Sequence, residues 1–283
     1  MIQMQKFIYF ICLLILCQVS FAQTSDYPYQ LKLKNDLIIS GISGLSLFSE
    51  SLIGSQVHNE TESYFNSLNA NSINSIDRNT INNWNPKAEL TRENLGTVGL
   101  WGIGLGGTTI LSVVEGLRPN GRGRATSNAL TNTVMIFEGG LFVLCLSDMS
   151  KALVKRPRPF AYNPNLSYQT KTESEDYKES FFSGNTAITA YGTFYFAKVI
   201  NDIYPNSKWK YAAWGCAGIY TATAGYLAVK SGNHFPTDVF VGSLVGAGTA
   251  ILIPHLHKIR INKNGMSLNV SPSAGGIYAS LKF

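Results

Sequence analysis

The stretch Ser231-Gly232-Asn233-His234-Phe235-Pro236-Thr237-Asp238 decides how the rest of the chain is read. It sets a histidine four residues before an aspartate, with Pro236 between them, and proline is suited to the first turn of a helix. Apolar runs of helix-like composition flank it, Lys210 to Lys230 before it and Val239 to Pro254 after it. The upstream residues that carry chemistry can all be read as groups brought to this histidine.

The first such group is Lys151-Ala152-Leu153-Val154-Lys155-Arg156-Pro157-Arg158-Pro159. Pro157 stops a helix near Arg156, which leaves Lys151 in the last turns, where a cation suits the negative helix end. Arg158 sits between two prolines in a stiffened, extended segment. A planar fork donor beside a point charge is what phosphate binding asks for, although a positively charged membrane flank explains the same residues. The second group is Ser180-Phe181-Phe182-Ser183-Gly184-Asn185-Thr186-Ala187, which opens an apolar helix running to about Ile200. Ser183 or Asn185 can cap that helix, Gly184 lets backbone approach a ligand, and free N–H groups at a helix start form an oxyanion site. Taken alone, these residues are most simply a helix cap.

Composition narrows the class. Charged residues are 14% and apolar residues 45% of 283, which suits long buried helices in or near a membrane. The formal charge of +6 is concentrated in two short basic runs without interleaved aromatics, which points to an anionic ligand and away from nucleic acid. Lys6 before the apolar run Phe7 to Cys17, then Ser20-Phe21-Ala22, fits a cleaved export signal over residues 1–22. Cys145 and Cys216 lie in apolar runs and read as small core residues, and no Cys/His spacing suggests zinc.

Residues 23–95 read as an N-terminal helical region with packing or pocket-rim roles. Asn94 to Val114 is uncharged and glycine-rich, as in closely packed helices. Thr131 to Ser147 is apolar but contains Glu138, and a buried carboxyl must find a partner or stay protonated. From residue 259 the pattern alternates, with a turn at Asn264-Gly265, and predicts a short β-rich tail over 259–283.

Three blocks in order, Lys151 with Arg158-Pro159, then Ser183-Gly184, then His234 with Asp238, resemble the type 2 phosphatidic acid phosphatase family, which shares its fold with bacterial acid phosphatases and vanadium haloperoxidases. The resemblance covers roughly residues 95 to 256. It implies an all-α helical bundle with its core over residues 96–258. By that likeness Lys151 and Arg158 neutralise a phosphate, while Ser183, Gly184 and Asn185 lie against its oxygens. His234 attacks phosphorus and Asp238 holds the imidazole tautomer. A neutral imidazole is a good nucleophile near neutral pH, and side-chain cations supply the charge stabilisation, so no metal or cofactor is implied.

Two positions depart from the family pattern. Asn185 stands where the second block has a histidine that protonates the leaving oxygen, and an amide has no such proton. Ala228 stands where the third block has an arginine, which removes one phosphate clamp; Lys230, one turn before His234, is positioned by spacing to move into that gap. The expected function is therefore an exported phosphomonoesterase, periplasmic or membrane-associated in the cell envelope, acting on a phosphorylated small molecule or a lipid phosphate. The alternative is a catalytically impaired protein that keeps the anion pocket. Vanadate-dependent halide oxidation ranks below both, because it also relies on the positions of Asn185 and Ala228.

Overall fold

The structure is a computed structural model that describes residues 27–32, 36–37, 39, 41, 60–121, 123–173 and 176–259, together with the backbone of two C-terminal strands. The expected export signal over 1–22 and the turn at Asn264-Gly265 lie outside the described residues. The helices are α1 (Glu62–Ser67), α2 (Ser75–Arg78), α3 (Pro86–Thr97), α4 (Thr108–Leu117), α5 (Ala125–Val154), α6 (Tyr168–Thr172), α7 (Gly184–Ile203), α8 (Trp209–Lys230) and α9 (Pro236–His257). A π-helical stretch, Val98–Gly107, joins α3 to α4 without a break. Strands β1 (Ser267–Ser273) and β2 (Gly276–Lys282) pair antiparallel, Val270 opposite Ala279.

The fold is an all-α bundle, as expected, and α7 is its axis. Helices α5, α8, α9 and the π-helical stretch all pack around α7. Its residues from Thr186 to Thr193 are almost all buried, among them Ala187, Ala190 and Tyr191 with no exposed surface. Met135, Ile136 and Val143 of α5 and Ala250 and Ile253 of α9 complete the apolar centre. Burying side chains of this size contributes about 1.5–3 kcal/mol each. Two tyrosines in this centre keep their hydroxyls satisfied: Tyr191 donates to Met135 O at 3.0 Å and Tyr195 to Asn132 Oδ1 at 2.8 Å. The glycine-rich run achieves its close approach at Gly104, where a Cβ would lie 3.0 Å from Gly192 Cα.

The helix boundaries follow local chemistry. Asn85 caps α3 by accepting from Ala88 N at 3.0 Å, with Pro86 at the first helical position. Helix α5 ends at Val154, where Lys155 takes a left-handed φ of 47°, just before Pro157. Pro236 opens α9, and Asp238 folds back to accept from Phe235 N at 2.9 Å. Helix α3 runs through the expected boundary at residue 95, so the chain enters the bundle earlier than composition implied. The N-terminal segment docks at the far end of α9, where Lys32 Nζ donates to Leu256 O at 2.7 Å and Lys258 O at 2.9 Å.

Among the described residues, three segments are long and apolar enough to cross a membrane: Pro86–Leu117, Ala125–Tyr162 and Pro236–His257. Helix α9 also presents Phe240, Leu244 and Ile251 outward.

Candidate active site

The loop between α8 and α9 carries His234, buried to 3% exposure. Its Nδ1 lies 2.8 Å from Ser180 O. A carbonyl only accepts, so Nδ1 carries the proton and Nε2 keeps its lone pair. Burial holds the imidazole well below its ordinary pKa, and the positive fields of Arg158, Arg92 and Lys151 push in the same direction against the single Ser180 bond. The ring is therefore neutral, oriented, and has three cations near it. That is the state a nitrogen nucleophile needs.

Asp238 does not orient the ring directly, contrary to the role the resemblance implies. Its Oδ2 accepts from Ser180 Oγ at 2.5 Å and from Phe235 N, and its Oδ1 accepts from Arg156 Nη1 at 2.5 Å. The physical reason is its place in the first turn of α9, where the carboxylate is drawn to the free N–H of Phe235. It acts one residue removed: Asp238 fixes Ser180, whose carbonyl fixes His234. Its own carbonyl also receives Ser183 N at 3.1 Å.

Arg156, which the motif passes over, is the structural cation of this corner. It bonds Thr237 Oγ1 at 2.9 Å and Asp77 Oδ2 at 2.8 Å, and its guanidinium lies 4.1 Å from the centre of the Phe235 ring. Burial alone would raise the Asp77 carboxyl, but hydrogen bonds from Thr237, Arg156 and Asn74 outweigh it and hold the group below the usual carboxylate range.

Arg158 is nearly buried, its Nε 3.0 Å from Asp176 O and its Nη2 on the Asp176 carboxylate. Lys151 is held loosely, 3.8 Å from Glu179 and 3.9 Å from Asp148. Ser183 is the N-cap residue of α7, fully buried, with its hydroxyl 2.8 Å from Thr186 Oγ1. At Gly184 the close neighbour is protein, since a Cβ there would sit 2.5 Å from Ser147 Oγ of α5. A side chain there would have to displace the Ser147 hydroxyl where α7 packs on α5.

The residue that sequence reading missed is Arg92 on α3. It is 3% exposed, pairs with Glu89 one turn earlier, and donates to the amide oxygen of Asn185, from Nη2 at 3.0 Å, with the amide oriented to accept. Glu89 in turn accepts from Asn233 beside the histidine. Asn83 Nδ2 donates to Val229 O at 3.0 Å and Asn85 N to Ser231 O at 3.3 Å, which dock the start of α3 on the end of α8. Ala228 near that contact is fully buried. Lys230 does not fill the gap: it is exposed, with its ammonium 5.8 Å from the Tyr226 ring centre. The signal available in sequence was Asn85-Pro86-Lys87-Ala88-Glu89-Leu90-Thr91-Arg92, a capped helix start whose Glu and Arg share one face.

A helical bundle with a buried neutral histidine under several cations defines a class of anion-handling proteins. A family model described as the PAP2 superfamily matches residues 132–262, and over that stretch the chain is similar to the type 2 phosphatidic acid phosphatase superfamily, whose members are generally phosphatases acting on phosphate esters. Neither the curated proteins nor the solved structures yielded a match. Arg92 lies outside the matched stretch.

Proposed function

We propose that the protein is a phosphomonoesterase of the cell envelope that uses His234 as its nucleophile. The observation that carries this is the state of the His234 ring. Its Nδ1 is committed to Ser180 O, its Nε2 is unprotonated, and Arg92, Arg158 and Lys151 act on it together. In the proposed reaction Nε2 forms a bond to phosphorus while the bond from phosphorus to the ester oxygen breaks. The alcohol departs with a proton from water, and a second water then cleaves the phosphohistidine to inorganic phosphate. Arg158, Lys151 and Arg92 balance the phosphoryl charge. The hydroxyl of Ser183 and the N–H of Gly184 accompany them at the start of α7.

One observation favours a second reading, in which the pocket binds phosphorylated ligands with little turnover. The side chain at the leaving-group position is Asn185, and its amide is engaged by Arg92. It has no proton to give near neutral pH, and general acid help is typically worth about 10²–10⁴-fold. The loss falls on alkyl esters, whose alkoxide needs that proton, and spares activated aryl esters.

The substrate class follows from setting. The three apolar segments and the outward apolar stripe of α9 support a membrane-associated protein with access to lipid phosphates. Turnover of p-nitrophenyl phosphate, an alkyl phosphate and a short-chain phosphatidate in micelles tests all of this together. The expected order is aryl first, and His234→Ala abolishes it. Tight phosphate binding with no aryl turnover supports the second reading.

A further inference from the structure

Away from the phosphate pocket, at the other end of α9, three titratable side chains meet in the core: Asp36, Glu138 of α5 and His257, the last residue of α9. Helix α9 has 22 residues, so at 1.5 Å per residue this cluster lies about 30 Å along the axis from the start of the helix beside His234. Their ligand atoms all fall within 4.8 Å of one another, and all three residues are buried.

The geometry of the histidine sets the argument. His257 Nδ1 is 2.9 Å from Ile253 O, a carbonyl that only accepts, so Nδ1 carries the proton. In the neutral ring Nε2 is then a bare lone pair. It faces Asp36 Oδ1 at 2.7 Å and Glu138 Oε2 at 3.3 Å. Glu138 has 1% exposure, and neither of its carboxylate oxygens has a hydrogen-bond partner among the described residues. A second proton on the imidazole would serve Asp36 and still leave Glu138 without a bond, with two carboxylates against one positive charge. A buried carboxylate in that condition costs several kcal/mol, and without an ion Glu138 escapes that cost only by holding a proton.

We infer that Asp36, Glu138 and His257 form a structural site for a divalent first-row metal ion. One such ion neutralises both carboxylates, takes the Nε2 lone pair, and gives Glu138 the partner it lacks. An imidazole with two carboxylates suits Zn²⁺ or Mn²⁺. The Nδ1–H bond to a backbone carbonyl is the outer contact that ligating histidines use to fix their tautomer. About a tetrahedral ion with bonds of ~2.0–2.1 Å, ligand atoms stand ~3.3 Å apart, the separation found between Nε2 and Glu138, while Asp36 Oδ1, now 2.7 Å from Nε2, has to draw back by about half an ångström to admit the ion. The three ligands come from three distant parts of the sequence, so no local spacing announces them. Bound there, the ion ties the N-terminal segment to α5 and α9 where Lys32 also docks.

The experiment uses the full, tag-free chain purified without chelator. Its metal content is measured, and thermal unfolding is followed after EDTA treatment and again with Zn²⁺ or Mn²⁺ added. The expected result is close to one ion per chain, a midpoint lowered by several degrees on chelation, and recovery with a single equivalent. Glu138→Gln and, separately, Asp36→Asn remove that response. Should either variant fail to fold, competition between the wild-type chain and a chromophoric chelator for Zn²⁺ gives stoichiometry and affinity directly. No retained ion together with a midpoint indifferent to Zn²⁺ and Mn²⁺ overturns the site, and so does a metal response that survives in both variants. None of these readouts depends on hydrolysis, so they stand apart from the phosphatase reading.

Discussion

Arg92 of α3 holds the amide of Asn185 at the start of α7, so a cation from outside the stretch matched by the family model reaches one of the two positions where this chain departs from the family pattern. Ala228 on α8 and Arg92 on α3 are both buried.

Arg92→Ala is expected to weaken phosphate affinity and kcat/KM by about 10- to 100-fold, since a hydrogen bond to a charged group is worth about 1.5–3 kcal/mol. Arg92→Lys recovers part of the charge without the fork. Lys230→Ala, on the exposed face, leaves both unchanged. Phosphate titration by calorimetry and aryl phosphate kinetics check the three variants side by side.

Burial and three cations hold His234 below its ordinary value of about 6.5. The ring is therefore still neutral on the acid side of that value, as the proposed nucleophile has to be. The acid limb of kcat/KM should fall below pH ~6.5. Stability moves the other way: between ~6.5 and the lower folded value, the unfolded chain takes up a proton that the buried ring does not, so stability drops as pH falls through this window. An acid limb at or above ~6.5 would show a ring already able to take a proton.

Asp238 works through Ser180, which gives a distinctive pair of variants. Ser180→Ala removes the hydroxyl but keeps the carbonyl that orients His234. It should lower kcat modestly, by about 3- to 10-fold, less than the about 1.5–3 kcal/mol that a hydrogen bond to a carboxylate is worth, because the orienting carbonyl stays in place. Asp238→Asn additionally disturbs Arg156 and should cost more kcat than Ser180→Ala while leaving phosphate affinity within a few-fold. Separate measurement of kcat and of phosphate Kd distinguishes this positioning role from direct contact with the ligand.

Asp77 joins Arg156 and Thr237 beneath the site. Asp77→Asn should destabilise the fold by about 2 kcal/mol, below the usual cost of breaking a fully buried pair because Arg156 is partly exposed. The carboxyl sits below its ordinary value of about 3.9. Its contribution is thus present above ~3.9 and disappears as pH falls through the lower folded value. Denaturant titrations at pH 7 and at successively lower pH below ~3.9 should show the full wild-type advantage at the first and its progressive decline below.

The bundle, and the placing of the candidate residues at helix ends, were legible because they depend on local features. Pro157, Pro236 and the cap at Ser183 set helix ends, and the block spacings put Lys151, Arg158 and His234 at those ends. What escaped depends on contacts between remote segments. Arg92 looks like a surface residue of a polar helix until α3 is seen packed on α8. Asp238 carries the right spacing for a histidine partner, yet the helix start claims its carboxylate first. Glu138 stood out as a charge in an apolar run, and its neighbours lie more than 100 residues away on either side.

The central claim is that His234 Nε2 forms a bond to phosphorus. Rapid mixing of the protein with an activated aryl phosphate, quenching in alkali, and mass spectrometry of the peptide containing His234 tests it most directly. The account predicts a phosphate adduct on His234, formed with a burst of phenolate, absent in His234→Ala and slower to form in Arg92→Ala. Phenolate release with no adduct on His234, and undiminished in His234→Ala, would contradict it.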